Sequence, residues 1–428
     1  MHKNTAPIGV SHRVTPPESG APRAGRRGFW IVTTVLGFSL TAASAPTPLY
    51  GVYAADWNFS PITLTVVFAV YAVALLGALL AFGSLSDAIG RKPVIMTALA
   101  CQVVALLWFI TADSVAWLVA ARIAQGLATG LVSAAVSAAL LDLQPPGRTG
   151  LAALMNALVS TAGLGAGALG SGALVEYAPR PERLVYVLLL LAAVLLLVVT
   201  PFLVDETVPT RSRPRLWSSI GVPKPVLPAF LAAAPCLVAT LALGGLYLSL
   251  GPSLAAQLSH SHNHLLGGAV PAMLCGTGAL ATAVLRSASA RTCMIVGCTT
   301  LVTGSLLTAT ALSLDVPALF YVSTVIAGVG FGTGYLGALR SLVSLVGPQQ
   351  RAALVSAIYI VVYTAFSVPV VVAGVVATHV DLRHTAITFC AVLTVLALTA
   401  LVATLRTSAR PEHTTTSDFA GPSDSQSS

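Results

Sequence analysis

Charge is scarce in this chain. Of its 428 residues only 8% are charged, 22 Lys or Arg and 14 Asp or Glu, while 56% are hydrophobic. A soluble globular domain carries about 25% charged residues. The polar surface that remains is too small to clothe a water-soluble body of this length. Most cytoplasmic enzymes, nucleic-acid binders and disordered scaffolds are thereby excluded. Catalytic signatures are missing too. The sequence holds no His-Glu-x-x-His metal motif, no Gly-x-Ser-x-Gly elbow and no Gly-x-x-x-x-Gly-Lys-Ser/Thr phosphate loop. The last absence argues against an ATP-driven pump within this chain. Cys101, Cys236, Cys275, Cys293, Cys298 and Cys390 lie in apolar segments without zinc or redox spacing, and read as small packing residues. All 14 acids stand at loops, tails or the ends of apolar blocks.

What is present is a series of apolar blocks of bilayer length. A hydrocarbon core of about 30 Å needs about 20 apolar residues as a helix. Phe29–Ala55, Trp57–Ser86, Pro93–Ala112, Thr149–Val175, Leu184–Val204, Thr292–Leu314, Val316–Leu339, Ala352–Val380 and His384–Leu405 contain no charge. Ser114–Leu141 contains only Arg122, and Pro225–Leu285 is long enough for two spans with a polar break from Ser259 to His264. Lipid offers backbone groups no hydrogen-bond partners, so the blocks predict helices, about twelve of them. The alternation of a barrel strand is absent. Arg26, Arg27 and the small residues Ala43, Ser44 and Ala45 have the form of a cleavable signal. The many later spans favour a retained first helix.

Basic residues fall unevenly around these spans. With the N-terminus inside, the inner segments hold seventeen of the 22, from Lys3, Arg26 and Arg27 through Arg91, Lys92, Arg148 and Arg211 to Arg351 and Arg406. The outer segments hold Arg180, Arg183 and Arg383. The positive-inside rule then places both termini in the cytoplasm of a cell-membrane protein. The net charge of +8 is a topology signal and calls for no nucleic acid. The expected organisation is a disordered tail over 1–28, a six-helix bundle over 29–204, a proline-rich cytoplasmic linker over 205–225, a second bundle over 226–406 and a tail over 407–428. The halves resemble each other. Leu85 and Arg91 match Leu285 and Arg291, Pro48 matches Pro252, and Gly126, Thr129 and Gly130 match Gly330, Thr333 and Gly334, all at nearly one offset. Such a repeat is a recurring transporter architecture with its substrate site at the repeat interface.

The loop after the second span runs Gly83-Ser84-Leu85-Ser86-Asp87-Ala88-Ile89-Gly90-Arg91-Lys92. It resembles the inner-loop signature of the major facilitator superfamily, departing only at Ala88, where that pattern has a basic residue. Gly83 and Gly90 suit close packing and a tight turn. The resemblance implies an all-α polytopic membrane protein of about twelve spans in two pseudo-symmetric six-helix bundles. It also implies that Asp87 and Arg91 latch the inner side of the outward-facing state. Asp87 would face the start of span eleven near Gln349–Ala352, whose dipole favours an anion. Arg91 would meet Asp142 at the inner end of span four.

Span four resembles a second pattern of that family through Leu118, Arg122, Gln125, Gly126 and Gly130. A charge deep in a membrane costs about 2.5–3.5 kcal/mol, so Arg122 is a functional candidate by default. The resemblance associates Arg122 and Gln125 with proton or substrate coupling; a packing Arg bonded to carbonyls is the other reading. Its counterpart in the second half is Ile326 by the sequence offset, and Arg340 reads as a snorkelling side chain. Gly163, Gly165, Gly167, Gly170 and Gly172 in span five resemble the exporter antiporter motif, with Ala168 at its proline position and Ser171 at its first closing glycine. Gly163 and Gly167, with Gly126, Gly130 and Gly172, equally serve helix packing.

Pro46, Pro48 and Pro252 interrupt spans one and seven, the helices that line the cavity in this family. Thr47, Tyr50 and Tyr53, with Asn156, Tyr247, Tyr359 and Tyr363, are the candidate cavity contacts, each also readable as packing. His260, His262 and His264 form an outer loop without acidic companions, so no metal site is expected. The reading is a secondary transporter embedded in the lipid bilayer, a monomer without cofactor, that exports a small amphiphilic drug-like molecule or metabolite with proton coupling. Import of a nutrient is the alternative; a polytopic membrane enzyme or receptor is a third.

Overall fold

The computed structural model describes residues 23–204 and 220–406, apart from Phe59, Ser84, Thr149 and His262. The expected tails and most of the expected linker lie outside the described residues. Among the described residues, twelve helices are long and apolar enough to cross a membrane: Arg26–Trp57, Pro61–Phe82, Arg91–Thr111, Val115–Asp142, Leu151–Tyr177, Pro181–Leu203, Lys224–Ser249, His264–Ser287, Ala290–Leu314, Pro317–Val343, Gln349–His379 and Leu382–Arg406. They are spans one to twelve. No strand occurs among the described residues.

Local chemistry sets their ends. Pro61, Pro181 and Pro317 open spans two, six and ten, where a missing N–H is harmless. Asn58, His260 and Asp315 follow helix ends with φ of 50°, 46° and 61°, the left-handed cap. Span six carries its lipid face as Leu191, Leu195, Val198 and Phe202, exposed by 62, 62, 56 and 82% at helical spacing.

The packing repeats. Spans two and four, three and four, one and five, three and six, and one and four touch in the first bundle. Spans eight and ten, nine and ten, seven and eleven, nine and twelve, and seven and ten do so in the second. Between bundles, span five packs on span eight and span two on span eleven, again an equivalent pair.

The cores differ between the two ends of the molecule. At the end that carries Asp87, each bundle has its own core. One is built on Phe29, Ile95 and Val136, the other on Phe230, Met294 and Leu354. At the opposite end a single cluster crosses from Tyr50, Phe109 and Tyr186 to Leu246, Cys275 and Val370. The two bundles are therefore closed upon each other at the end away from Asp87.

Candidate functional site

The deepest polar feature begins with a missing hydrogen bond. The helix of span one breaks at Ala45, between Ser44 and Pro46. Pro46 has no N–H to give the carbonyl of Ala42, one turn earlier. Span four supplies the donors instead. Gln125 Nε2 donates to Ala42 O at 2.9 Å, and an Arg122 guanidinium nitrogen donates to Ala43 O at 2.8 Å and to Gln125 Oε1 at 2.6 Å. The guanidinium lies 5.4 Å from the Tyr50 ring centre and 4.9 Å from that of Tyr71. Aromatic faces stabilise a desolvated cation. Arg122 is 1% exposed, and no carboxylate pairs with it among the described residues. Arg122 Nε, Tyr50 OH and Thr47 Oγ1 are buried without a partner among the described residues. The charge is thus held by carbonyl dipoles and rings, and it ties span four to the break in span one.

The other cavity candidates scatter. Tyr53 stacks on Trp57 at 4.9 Å, and its hydroxyl donates to that of Tyr186 at 3.3 Å. Asn156 accepts from Ser137 at 3.0 Å, between spans five and four. Tyr359 and Tyr363, with rings 6.2 Å apart, pack across the bundle boundary against Tyr71, Leu75 and Leu79. Tyr247 departs from expectation. Its hydroxyl is 2.7 Å from Thr308 Oγ1 and its ring stacks on Phe320 at 6.0 Å, inside the second bundle. A Tyr beside a helix break could point either way, and the hydroxyls of spans nine and ten draw it inward. Tyr71 is not legible as a site residue; its one signal is that it is the single tyrosine of span two, whose other hydroxyls, Thr63 and Thr65, stand in the first turns.

At the Asp87 end, Arg91 opens span three. A cation at a helix N-terminus needs compensation. Arg91 pairs with Asp87, one turn earlier, and its Nε reaches Asp142 Oδ2 at 3.1 Å. It also donates to Ser86 Oγ at 2.7 Å. Lys92 follows, half-buried. Gly90 has a φ of 101°, which explains glycine there, whereas Gly83 is ordinary right-handed helix. Asp87 does not reach toward span eleven in this structure. Its side chain is 50% exposed and bonds within its own bundle, and Gln349 to Ala352 are exposed.

Span five explains its glycines by having two contact faces. A methyl on Gly163 would sit 2.7 Å from Gly37 O, and one on Gly167 would run into Thr41 and Ser44, all in span one. A methyl on Gly165 or Gly172 would instead meet span eight, at Ala272 and Cys275 or at His264 and Gly268. Gly126 and Gly130 of span four press on span two in the same way, at Ala74 and Ala78.

Residues 29–369 match the profile of the Major Facilitator Superfamily. The chain belongs to that superfamily. It is a multi-pass membrane transporter, not an enzyme. In fold it is similar to a bacterial homologue of the human lysosomal transporter Spinster, in an inward-facing and unoccupied conformation, with a TM-score of 0.72 at 13% identity over 90% of this chain and 98% of that one. It is also similar to a variant of the nucleoside transporter NupG, with a TM-score of 0.68 at 13% identity over 89% and 99% of the two chains. No curated protein matches it in sequence.

The major facilitator repeat has a register that differs from the sequence offset. Gly126 and Gly130 abut Tyr71 O and Leu75 O of span two. In the second bundle, Gly328 and Gly332 abut Leu274 O and Gly278 O of span eight. These, not Gly330 and Gly334, are the structural counterparts. Arg122 then corresponds to Thr324, not Ile326; Thr324 is buried and bonds to Phe320 O at 2.8 Å. Three further expectations change. His260 Nε2 lies 3.7 Å from Asp315, an acid brought in from the loop after span nine. Cys236 and Cys298, in spans seven and nine, place their sulfurs 3.6 Å apart. Arg340 caps the carbonyls of Arg286 and Ala288 rather than reaching out alone.

Proposed function

We propose that this transporter exports a small neutral or anionic amphiphile by alternating access, driven by protons. In this reading both termini and the Asp87 end face the cytoplasm. The two bundles, 29–204 and 226–406, rock as units about the linker at 205–225 in a monomer of the cell membrane. Arg122 carries the reading. It is a buried cation, 1% exposed, and no carboxylate among the described residues pairs with it. A cationic substrate would be repelled there, and an anionic or polarisable one attracted. Arg122 and Gln125 hold the carbonyls at the break of span one, so a change in their charge environment acts on a helix that lines the cavity. Thr47 and Tyr50, buried beside that break, and Tyr359 and Tyr363 across the boundary are the contacts we assign to the path. The preponderance of basic residues on the Asp87 side supports the orientation.

Proteoliposomes and inverted membrane vesicles test the reading. A panel of neutral and anionic fluorescent amphiphiles is offered to inverted vesicles with an acid interior. Uptake that collapses when the pH gradient is dissipated is expected, with proton efflux from the vesicles read by a trapped pH dye. Accumulation only with the opposite gradient would assign import instead.

A further inference from the structure

We infer that Glu176 is the latch that holds this transporter shut at the end away from Asp87, a role that rests on the alternating-access reading above. Glu176 is the penultimate residue of span five, in the first bundle. Its Oε2 accepts the backbone N–H of His264, the first residue of span eight in the second bundle, at 2.9 Å. A helix N-terminus leaves several N–H groups unsatisfied and carries partial positive charge. Asn263, from span eight's own bundle, already accepts from Leu265 at 2.9 Å and Leu266 at 3.4 Å. The remaining first donor is left to the opposite bundle. A cap serving only the helix would come from the same bundle. This one exists only while the two bundles touch.

The seam below it makes the contact steep in distance. A methyl on Gly172 would be 2.9 Å from His264 O and 3.2 Å from Gly268 Cα, so the two backbones are in contact one turn from Glu176. Gly268 likewise has no room against Ala168 O, at 2.6 Å. Deeper still, Gly165 faces Cys275. Any parting of spans five and eight at this end takes the carboxylate from its donor.

The equivalent seam lacks the latch. Gly374 of span eleven closes on Thr65 of span two as Gly172 closes on Gly268. The counterpart of Glu176 is then Thr378, whose hydroxyl bonds to Val375 O of its own helix at 2.6 Å. The counterpart of His264 is Pro61, which has no N–H to offer. The charge is confined to one of two otherwise matched seams, which marks it as an addition to the packing.

Cys275 is a native reporter of this seam, since it is 0% exposed and packed where the bundles meet. The full chain in proteoliposomes is treated from the Glu176 side with a small cationic methanethiosulfonate, and labelled peptides are mapped by mass. Glu176→Ala is expected to label at Cys275 roughly tenfold faster than wild type, a shift of about 1.4 kcal/mol. Glu176→Gln keeps an oxygen acceptor without the charge and is expected to fall between the two. Cys298, in the core of the second bundle, is the control and should stay unlabelled in all three. Should Cys298 also label in Glu176→Ala, the helix is unravelling and Glu176→Gln decides on the same two sites. Equal Cys275 rates in a variant that still transports would overturn the latch. Faster Cys275 labelling of Glu176→Ala, alongside a wild type that moves no amphiphile along a proton gradient, would keep the latch and overturn the export reading instead.

Discussion

A buried arginine in a membrane protein poses an energetic question that its neighbours answer. Carrying the charge to mid-membrane costs about 2.5–3.5 kcal/mol, and hydrogen bonds to a charged group return about 1.5–3 kcal/mol each. Two such bonds and two rings bring Arg122 near balance. Arg122→Met should therefore leave stability within about 2 kcal/mol, since lost bonds and recovered desolvation oppose each other. Transport should fall far more than stability. Arg122→Lys keeps the charge but cannot reach Ala43 O and Gln125 together in a planar fork. We expect it to fail to restore transport, which thermal unfolding and flux measured on the same preparation will check. That Arg122 matters is legible from the sequence, because it is the one charge inside its block. That it serves the break of span one is not, because Ala42 and Ala43 lie about eighty residues away and only the fold brings them together.

Between elements, membrane helices gain no hydrophobic drive from each other, so close packing decides which of them associate. Gly126→Val would force a side chain into Tyr71 O and Ala74 Cβ, backbone and root atoms that cannot swing away. Overpacking of this kind costs about 1–3 kcal/mol or more. Gly170 has open space around it, and Gly170→Ala should be neutral or stabilise by up to about 1 kcal/mol through helix propensity. Melting temperatures of the two variants should move in opposite directions or differ by several degrees. Helix ends offer a pH test. Asp381 Oδ1 accepts the His384 N–H at 2.6 Å, and that bond chiefly holds the Asp381 carboxyl below its ordinary value. Its contribution is full above the ordinary carboxylate value and is lost as pH falls through the lowered one. Asp381→Asn keeps a capping oxygen without the titration. The wild type should therefore lose more melting temperature than the variant on acidification through that range. The break in span one falls at the proline pair Pro46 and Pro48, but proline alone does not predict it, since Pro201, Pro235, Pro271 and Pro369 sit inside unbroken helices. The register of the repeat is not legible either. Gly328, Gly330, Gly332 and Gly334 alternate along span ten, so two offsets fit the glycines equally well. Only the carbonyls of span eight choose between them.

The whole molecule is asymmetric in where its ends are joined. One apolar cluster runs through both bundles at the Glu176 end, and separate cores face each other at the Asp87 end. Twelve spans and the loop motif are legible before any coordinates, since bilayer length and the spacing of Gly90 and Arg91 do not depend on the conformation adopted. Which end is closed is a property of contacts, and no run of residues encodes it. In the closed form seen here, Asp87 rests against Arg91 and half its side chain meets solvent. An exposed pair of that kind contributes little. We propose that the carboxylate acquires its full worth only in the form in which the Asp87 end closes and brings it to the start of span eleven. A charge at a helix N-terminus is worth about 0.3–2 kcal/mol, a roughly two- to thirtyfold shift between the two states. Asp87→Asn should thus favour the form seen here and slow transport at the step that closes the Asp87 end. Spin labels at Arg148 and Leu345, one on each bundle at that end, read the distance directly. The variant should lose the short-distance population that wild type shows in the presence of a transported amphiphile. Unchanged populations together with wild-type flux would mean that Asp87 stabilises only its own loop, and that the end it occupies closes by packing alone.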